Sequence, residues 1–498
     1  MDEAATLQKT ARGAASEHFD VIIVGAGISG VGGAYHLTHQ RPGTHFVVLE
    51  ALESFGGTWL THTYPGIRSD SDLYTFGYRF KPWVGPPIAT AGEILNYMGE
   101  VIEENDLARH IRYRRRITNA QWSSQGKLWT LTVSGPDGVE TYTTNFLWMC
   151  QGYYRHSKGY TPEWPDMATF KGRIVHPQLW PDDLDLTGKQ VVVIGSGATA
   201  ATILPSIAVT CAHVTMLQRS PTYFVPGRNE NELADMLRQL EIDESWIHEI
   251  VRRKVLFDQH EFTRRSIEEA DTVKMELLEG VKMFLGEDDI AKHFTPRYRP
   301  WRQRIAFVPD GDLFQGIASG KASVVTDEIE RFTEKGLLLK SGQELEADVI
   351  VTATGFDLSV LGDITFEIDG KPLDFADTVT YRGMMFTGVP NLVWVFGYFR
   401  ASWTLRADLI GDFVCRLLAH MAKTGKKQVE VALRPEDKDM KIGGWIDPED
   451  FNPGYLMRNM HLLPKAGDKP EWRHTQDYWN EKEIFPKIDL DDPAFRYS

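Results

Sequence analysis

The stretch Phe19–Glu50, FDVIIVGAGISGVGGAYHLTHQRPGTHFVVLE, decides how this chain is read. A β-branched run, VIIV, meets Gly25, Gly27, Ser29 and Gly30, a helix-like segment follows, and a second apolar run closes at Glu50. A bare GxGxxG means little. Here it follows a strand, opens a helix and is answered by an acid at a strand end, which together specify a βαβ dinucleotide unit. The glycines let the backbone approach a pyrophosphate at the positive end of the helix, while Glu50 accepts the hydroxyls of an adenosine ribose.

A second copy starts at Gln190, QVVVIGSGATAATILPSIAVTCAHVTMLQRSPTYFVP, with Gly195, Ser196, Gly197, Ala198, Thr199 and Ala200 in the same strand-turn-helix frame. Its strand ends in Gln218, Arg219 and Ser220 instead of an acid. That change removes a carboxylate that would repel a 2′-phosphate and supplies a cation and a hydroxyl, so the second unit reads as selective for NADP(H) over NAD(H). Two apolar exits, NFLWMCQGYY (145–154) and ADVIVTATGFD (347–357), look like the last strands of two related domains. The expected fold is α/β, with two Rossmann-like domains. An FAD domain of residues 18–150 and 380–498 is interrupted by an NADP domain of residues 151–379. The charged, strand-free stretch 229–293 is expected to be a helical subdomain covering the active site.

The bulk properties agree with a multidomain globular chain. Its 498 residues exceed one core, and 42% are hydrophobic and 25% charged. With 54 Lys plus Arg against 69 Asp plus Glu, the formal charge is −15, which argues against a general nucleic-acid surface. The first 18 residues carry no apolar signal core and read as a loose tail. No window approaches the roughly 18 uninterrupted apolar residues of a membrane span, so a cytoplasmic protein is expected. Cys150, Cys211 and Cys415 are scattered without a CxxC pair or zinc-like spacing, which speaks against a dithiol centre or a metal site.

Between the two units lies FKGRIVHPQLWP (170–181). Phe170, Gly172, His176, Trp180 and Pro181 follow neither helical nor strand periodicity. With both glycine motifs in order around it, the segment resembles the fingerprint of the type I Baeyer-Villiger flavin monooxygenases. The stretches GGTW (56–59), YPGIRSDSDLYT (64–75), LQRSPTY (217–223), VPDGDLF (308–314) and ASWTLRADL (401–409) are similar to the ethionamide-activating branch of that group, over roughly residues 18–485. ASWTLRADL departs from the glycine- and serine-rich flavin turn of the cyclic-ketone enzymes, so their substrate scope does not carry over.

The resemblance implies FAD and NADPH as cofactors and oxygen insertion beside a ketone carbonyl, with sulfide oxidation as a companion activity. It implies FAD contacts from Gly25, Gly27, Ser29, Gly30, Glu50, Thr58, Trp59 and Ile117. Arg68, Ser69 and Asp70 are implied to lie between flavin and nicotinamide, and His176 in a linker that couples domain movement to the reaction. Attack on a carbonyl requires an oxygen nucleophile kept anionic, and a guanidinium supplies a charge that survives at any working pH. Of Arg297, Arg299, Arg302 and Arg304, spacing to VPDGDLF matches Arg304 to the family's catalytic arginine, with Asp70 as its partner. The other three read as a basic loop near a cofactor phosphate. Trp83, Trp301, Trp394, Phe396, Tyr398 and Trp403 are candidates for core or for an apolar pocket wall. Two other readings remain open: an N- or S-oxygenating flavin monooxygenase, and an NADPH-dependent reductase serving a protein partner.

Overall fold

A computed structural model describes residues 16–498. Most of the expected N-terminal tail therefore lies outside the described residues, but Glu17 and His18 already belong to the first strand. That strand, β1 (Glu17–Val24), pairs in parallel with β2 (Phe46–Leu49), and β2 with β3 (Ile111–Arg112). On its other side β1 runs parallel to β6 (Gly138–Met149), which turns back antiparallel through β5 (Leu128–Gly135) to β4 (Arg116–Ser123). The VIIV and FVVL segments of β1 and β2 are buried throughout: one face packs on the helix Ile28–Gln40 and its neighbours, the other on residues of β4 and β5.

The second sheet is wholly parallel, in the order Ala322–Thr326, His213–Gln218, Gln190–Ile194, Val349–Thr352, Arg173–Val175. Each glycine fingerprint stands beside its exit strand in the same way. A side chain at Gly25, whose φ is +97°, would meet the Cys150 carbonyl oxygen at 3.0 Å, and one at Gly195, φ +130°, would meet that of Ala353 at 2.3 Å. Only glycine fits both the dihedral and the space.

The chain returns to the first sheet earlier than the expected 380. Strand Thr365–Ile368 pairs in parallel with β4, and Leu392–Trp394 with β6. Alternation there is too short to read from sequence, and the pairing is set by partners far along the chain. The crossings between the halves are Tyr154–Gly159 outward and Phe356–Leu358 back, and they pair antiparallel with each other. The fingerprint segment is more than a linker: Arg173–Val175 is the edge strand of the second sheet, while buried Phe170 packs near Phe332 with ring centroids 6.2 Å apart.

Residues 229–293 form four helices, Glu232–Gln239, Glu244–Glu268, Ala270–Lys282 and Glu287–His293. Buried Arg252 pins them to the first half by donating to the carbonyls of Tyr74, Thr75 and Gly77, the C-terminal end of the short helix Leu73–Phe76. The helix Ile28–Gln40 packs on the long C-terminal helix Trp403–Thr424. Among the described residues, no helix is long and apolar enough to cross a membrane.

Candidate active site

A cleft with a cavity volume of about 630 Å³ runs from the first fingerprint to the second. At one end, the helix Ile28–Gln40 begins at Gly27 with no side-chain cap, leaving its first N–H groups free. Gly27 faces Gly57, where φ is +54° and a Cβ would come within 3.1 Å of the Gly27 Cα. Glu50 is buried, and its carboxylate is fixed by N–H donors from Ala26 (2.7 Å) and Leu52 (2.8 Å), which leave each oxygen a further lone pair. Ser29, Thr58, Trp59 and Ile117 also line the cleft, Thr58 Oγ1 lying 2.7 Å from the Tyr154 hydroxyl. This cradle fits an FAD. Gly30 packs beneath it, since a Cβ there would strike the Gly25 carbonyl.

At the other end, the helix Ala198–Ala208 starts at Gly197, again without a side-chain cap. A Cβ at Gly197 would meet nothing within 4 Å, so open space lies over a helix N-terminus, the surroundings a pyrophosphate needs. Ser196, Ala198 and Thr199 line this end, whereas Ala200 is buried in the core and serves packing. Arg219 and Ser220 are exposed beyond the cleft wall, and the Ser220 carbonyl accepts from Ser196 Oγ at 3.2 Å.

Between these ends, Arg304 Nη2 lies 2.7 Å from Asp70 Oδ2. Burial works against the Arg304 charge, but Asp70, Tyr455 and Tyr153 outweigh it and raise its pKa, so the guanidinium stays charged. Arg68 makes a forked pair with Asp312 of the VPDGDLF segment, at 2.6 and 3.1 Å. The expectation that Ser69 faces the cofactors is not met: its hydroxyl is taken up by Ser71, donating to the carbonyl at 2.6 Å and accepting from the N–H at 3.0 Å. Arg299 and Arg302 do not form a phosphate-facing loop. They pair with Asp450 (3.0 Å) and Glu449 (2.8 Å), acids that nearby sequence gives no hint of.

His176 does not line the cleft. Its Nδ1 accepts from Gln178 N–H at 3.1 Å, so the ring proton sits on Nε2 and is donated to the Gly355 carbonyl at 3.2 Å, at the return crossing. Gly159, on the outward crossing, has no room for a Cβ against the same ring. Nor does the helical insertion cover this cleft. Its long helix instead walls a second cavity of about 1040 Å³ with Leu256, His260, Thr263 and Ile267, opposite the C-terminal segments, and Ala401 borders both cavities.

Three cleft residues escape sequence reasoning. Tyr153 stacks on Trp403 (5.3 Å between centroids), whose indole N–H donates to Ser29 Oγ at 2.8 Å. Tyr455 comes from the short helix Gly454–Asn459, and burial pushes its phenol well up, as it does that of Tyr153. His62 is the third. Of the six expected aromatic residues, Tyr398 and Trp403 line the cleft, Trp83, Trp394 and Phe396 are buried in the core, and Trp301 is partly buried against the small cluster of Tyr223, Val273, Leu277 and Ile305. The three cysteines are free and buried, with burial pushing Cys211 up to about 11 and Cys415 to about 12.

The flavin-binding monooxygenase-like family model matches residues 85–254, and an NAD(P)-binding Rossmann-like domain model matches residues 23–83. FAD-containing monooxygenase EthA of Mycolicibacterium smegmatis is 42% identical over 489 residues, 97% of this chain and 98% of that protein. EthA of Mycobacterium tuberculosis is 43% identical over 486 residues, with the same coverage. The probable FAD-binding monooxygenase AlmA of Acinetobacter baylyi is 40% identical over 97% of this chain and 96% of its own. In fold, the chain superimposes on an oxidised steroid monooxygenase bound to NADP with a TM-score of 0.75, at 24% identity over 96% of this chain and 99% of that one. OTEMO in complex with FAD and NADP gives 0.76 at 20% identity, over 97% and 100%.

Proposed function

The chain belongs to the FAD-containing monooxygenases, and we propose that within this family it carries out a Baeyer-Villiger oxidation, inserting one atom of O2 beside a ketone carbonyl to give an ester or lactone. The overall balance is ketone, O2, NADPH and a proton going to ester, water and NADP⁺. The observation that carries the reading is the Arg304–Asp70 pair, a permanent cation held at 2.7 Å by a carboxylate between the two nucleotide cradles.

Bound FAD and NADPH supply the two-electron activation of oxygen. The protein's part is positional and electrostatic. Glu50 and the free N–H groups above Gly27 would hold the FAD end, and Ser196 to Thr199 the NADPH pyrophosphate, with Arg219 and Ser220 meeting its 2′-phosphate. Arg304 stabilises negative charge on the activated oxygen as it meets the carbonyl, and Asp70 keeps the guanidinium aimed while limiting its rotamers. Tyr153 and Tyr455, whose phenols are raised by burial, remain protonated donors beside it. Oxidation of sulfides would use the same site and the same two nucleotides.

The test is product analysis under ¹⁸O2 with linear ketones, cyclic ketones and aryl sulfides. Labelled ester is expected. Labelled sulfoxide without ester would leave an S-oxygenating enzyme, and NADPH consumption without any labelled product would leave a reductase.

A further inference from the structure

His62 follows directly from the flavin-side GGTW turn, as the C-cap of the short helix Thr58–Thr61. Its ring is 4% exposed and lines the cleft. Nδ1 lies 3.1 Å from the Thr58 carbonyl oxygen, an acceptor only, so Nδ1 carries the proton. The neighbouring Thr61 hydroxyl, 3.2 Å from Nδ1, is itself a donor to the Gly57 carbonyl at 3.1 Å and therefore faces Nδ1 with a lone pair. The tautomer is thereby set, and Nε2 is a bare acceptor. That nitrogen is buried and has no hydrogen-bond partner in the protein.

The ring cannot turn away. It meets Tyr64, Tyr154 and Phe356 edge to face, with centroids 6.0, 5.8 and 5.9 Å away. Two of these neighbours, Tyr154 and Phe356, belong to the paired crossings between the halves. The third, Tyr64, lines the cleft together with Thr199 of the second fingerprint helix. His62 thus stands among residues that line the NADPH side of the cleft, and its buried Nε2 finds no donor within the protein, which leaves a ligand to satisfy it. Desolvation, reinforced by His156 and His176, holds the ring's pKa down to about 4 against the raising effect of the Thr58 carbonyl, so the lone pair is present throughout the working pH range.

We infer that His62 Nε2 is a preset acceptor for an N–H or O–H donor on the nicotinamide half of NADPH, either its carboxamide or its ribose hydroxyls, and so positions the nicotinamide for hydride transfer. The inference depends on the nucleotide alone and not on the fate of oxygen.

The experiment uses FAD-loaded enzyme and the variants His62→Phe, which keeps a flat ring without an acceptor, and His62→Gln, which restores one. NADP⁺ affinity is measured by perturbation of the oxidised flavin spectrum, and flavin reduction by NADPH is followed without oxygen. His62→Phe is expected to weaken NADP⁺ binding roughly 3- to 10-fold and to slow reduction at a given NADPH concentration, with His62→Gln recovering most of the affinity and FAD occupancy equal in all three. Loss of FAD from His62→Phe with unaltered NADP⁺ affinity in the refilled protein would move the donor to the flavin and overturn the inference. Parent affinity for both nucleotides in His62→Phe would overturn it as well, leaving Nε2 to water. Because NADP⁺ binding is read without turnover, failure of the ketone reading leaves this result standing.

Discussion

In the proposed reaction Arg304 acts through its charge, and its removal is expected to separate two steps. Arg304→Ala is expected to retain flavin reduction by NADPH, because hydride transfer depends on alignment of the two nucleotides. Oxygenated product should fall on the order of 100- to 1,000-fold, the usual consequence of deleting a preorganised cation facing an oxyanion. NADPH and O2 should still be consumed, with hydrogen peroxide released in place of ester. Arg304→Lys should restore only part of the product, since an ammonium cannot reproduce the guanidinium geometry beside Asp70. Product and peroxide assays together with stopped-flow reduction check this. Parent-level ester from Arg304→Ala would remove the assignment, and Arg299 and Arg302, committed to Asp450 and Glu449, offer no ready substitute.

Two helices frame the FAD end, and their contacts make predictions about stability. His36 on the helix Ile28–Gln40 is buried against Gly411 of the helix Trp403–Thr424, with Nε2 3.3 Å from Asp408 and Nδ1 3.4 Å from Asp412. Burial alone would lower the imidazole pKa, but the two aspartates outweigh it and raise it to about 9. A histidine raised in the folded state contributes stability that is complete below its unfolded value near 6.5 and is lost as pH climbs through 9. Unfolding free energy should therefore fall by on the order of 2–3 kcal/mol between about pH 6.5 and 9, measurable by denaturant titration at each pH. His36→Gln should flatten that slope, and an unchanged slope would refute the assignment. The same C-terminal helix carries Arg406, fully buried, with Nε 3.0 Å from Glu481 Oε2 and Nη1 donating to the Phe396 carbonyl at 2.9 Å. Arg406→Ala leaves a buried carboxylate without its cation and should cost about 3–5 kcal/mol. A midpoint shift smaller than that of an exposed control such as Arg253→Ala would contradict it.

At the scale of the whole molecule, function depends on the two nucleotide units acting across one cleft. Arg219 stands exposed at the outer end of the second unit, and the proposed reading has it meet the 2′-phosphate of NADPH. Arg219→Ala should reduce kcat/KM with NADPH by about 10- to 150-fold, the loss of a charge-assisted contact, with NADH nearly unchanged. Equal losses with both nucleotides would mean that the side chain supports structure instead. His176 ties the fingerprint strand to the Gly355 carbonyl, where the chain crosses back between halves. His176→Ala should leave FAD bound while slowing oxygenation, because the crossing loses its brace; parent rates for both reduction and oxygenation would rule out that coupling.

The two fingerprints were legible in sequence because the constraint on them is local. Strand, glycine turn and helix adjoin in the chain, and Gly25 and Gly195 answer to dihedrals and close contacts that no other residue tolerates. Motif spacing likewise carried Arg304 and Asp70. What sequence did not reveal was the engagement of Arg299 and Arg302 by acids, the inward or outward aim of Ser69, and the burial of Ala200 against the exposure of Arg219, since partners such as Asp450 and Ser71 decide them. Tyr455 and His62 had no motif signal at all. One reaches the cleft on a C-terminal helix, and the other is defined by rings from three separate segments. The helical insertion was recognisable from its composition, but which cavity it walls depended on Arg252 docking against carbonyls of a distant helix. Local backbone demands are written in consecutive residues, whereas side-chain direction and pKa follow from burial and charge that only chain-distant packing brings together.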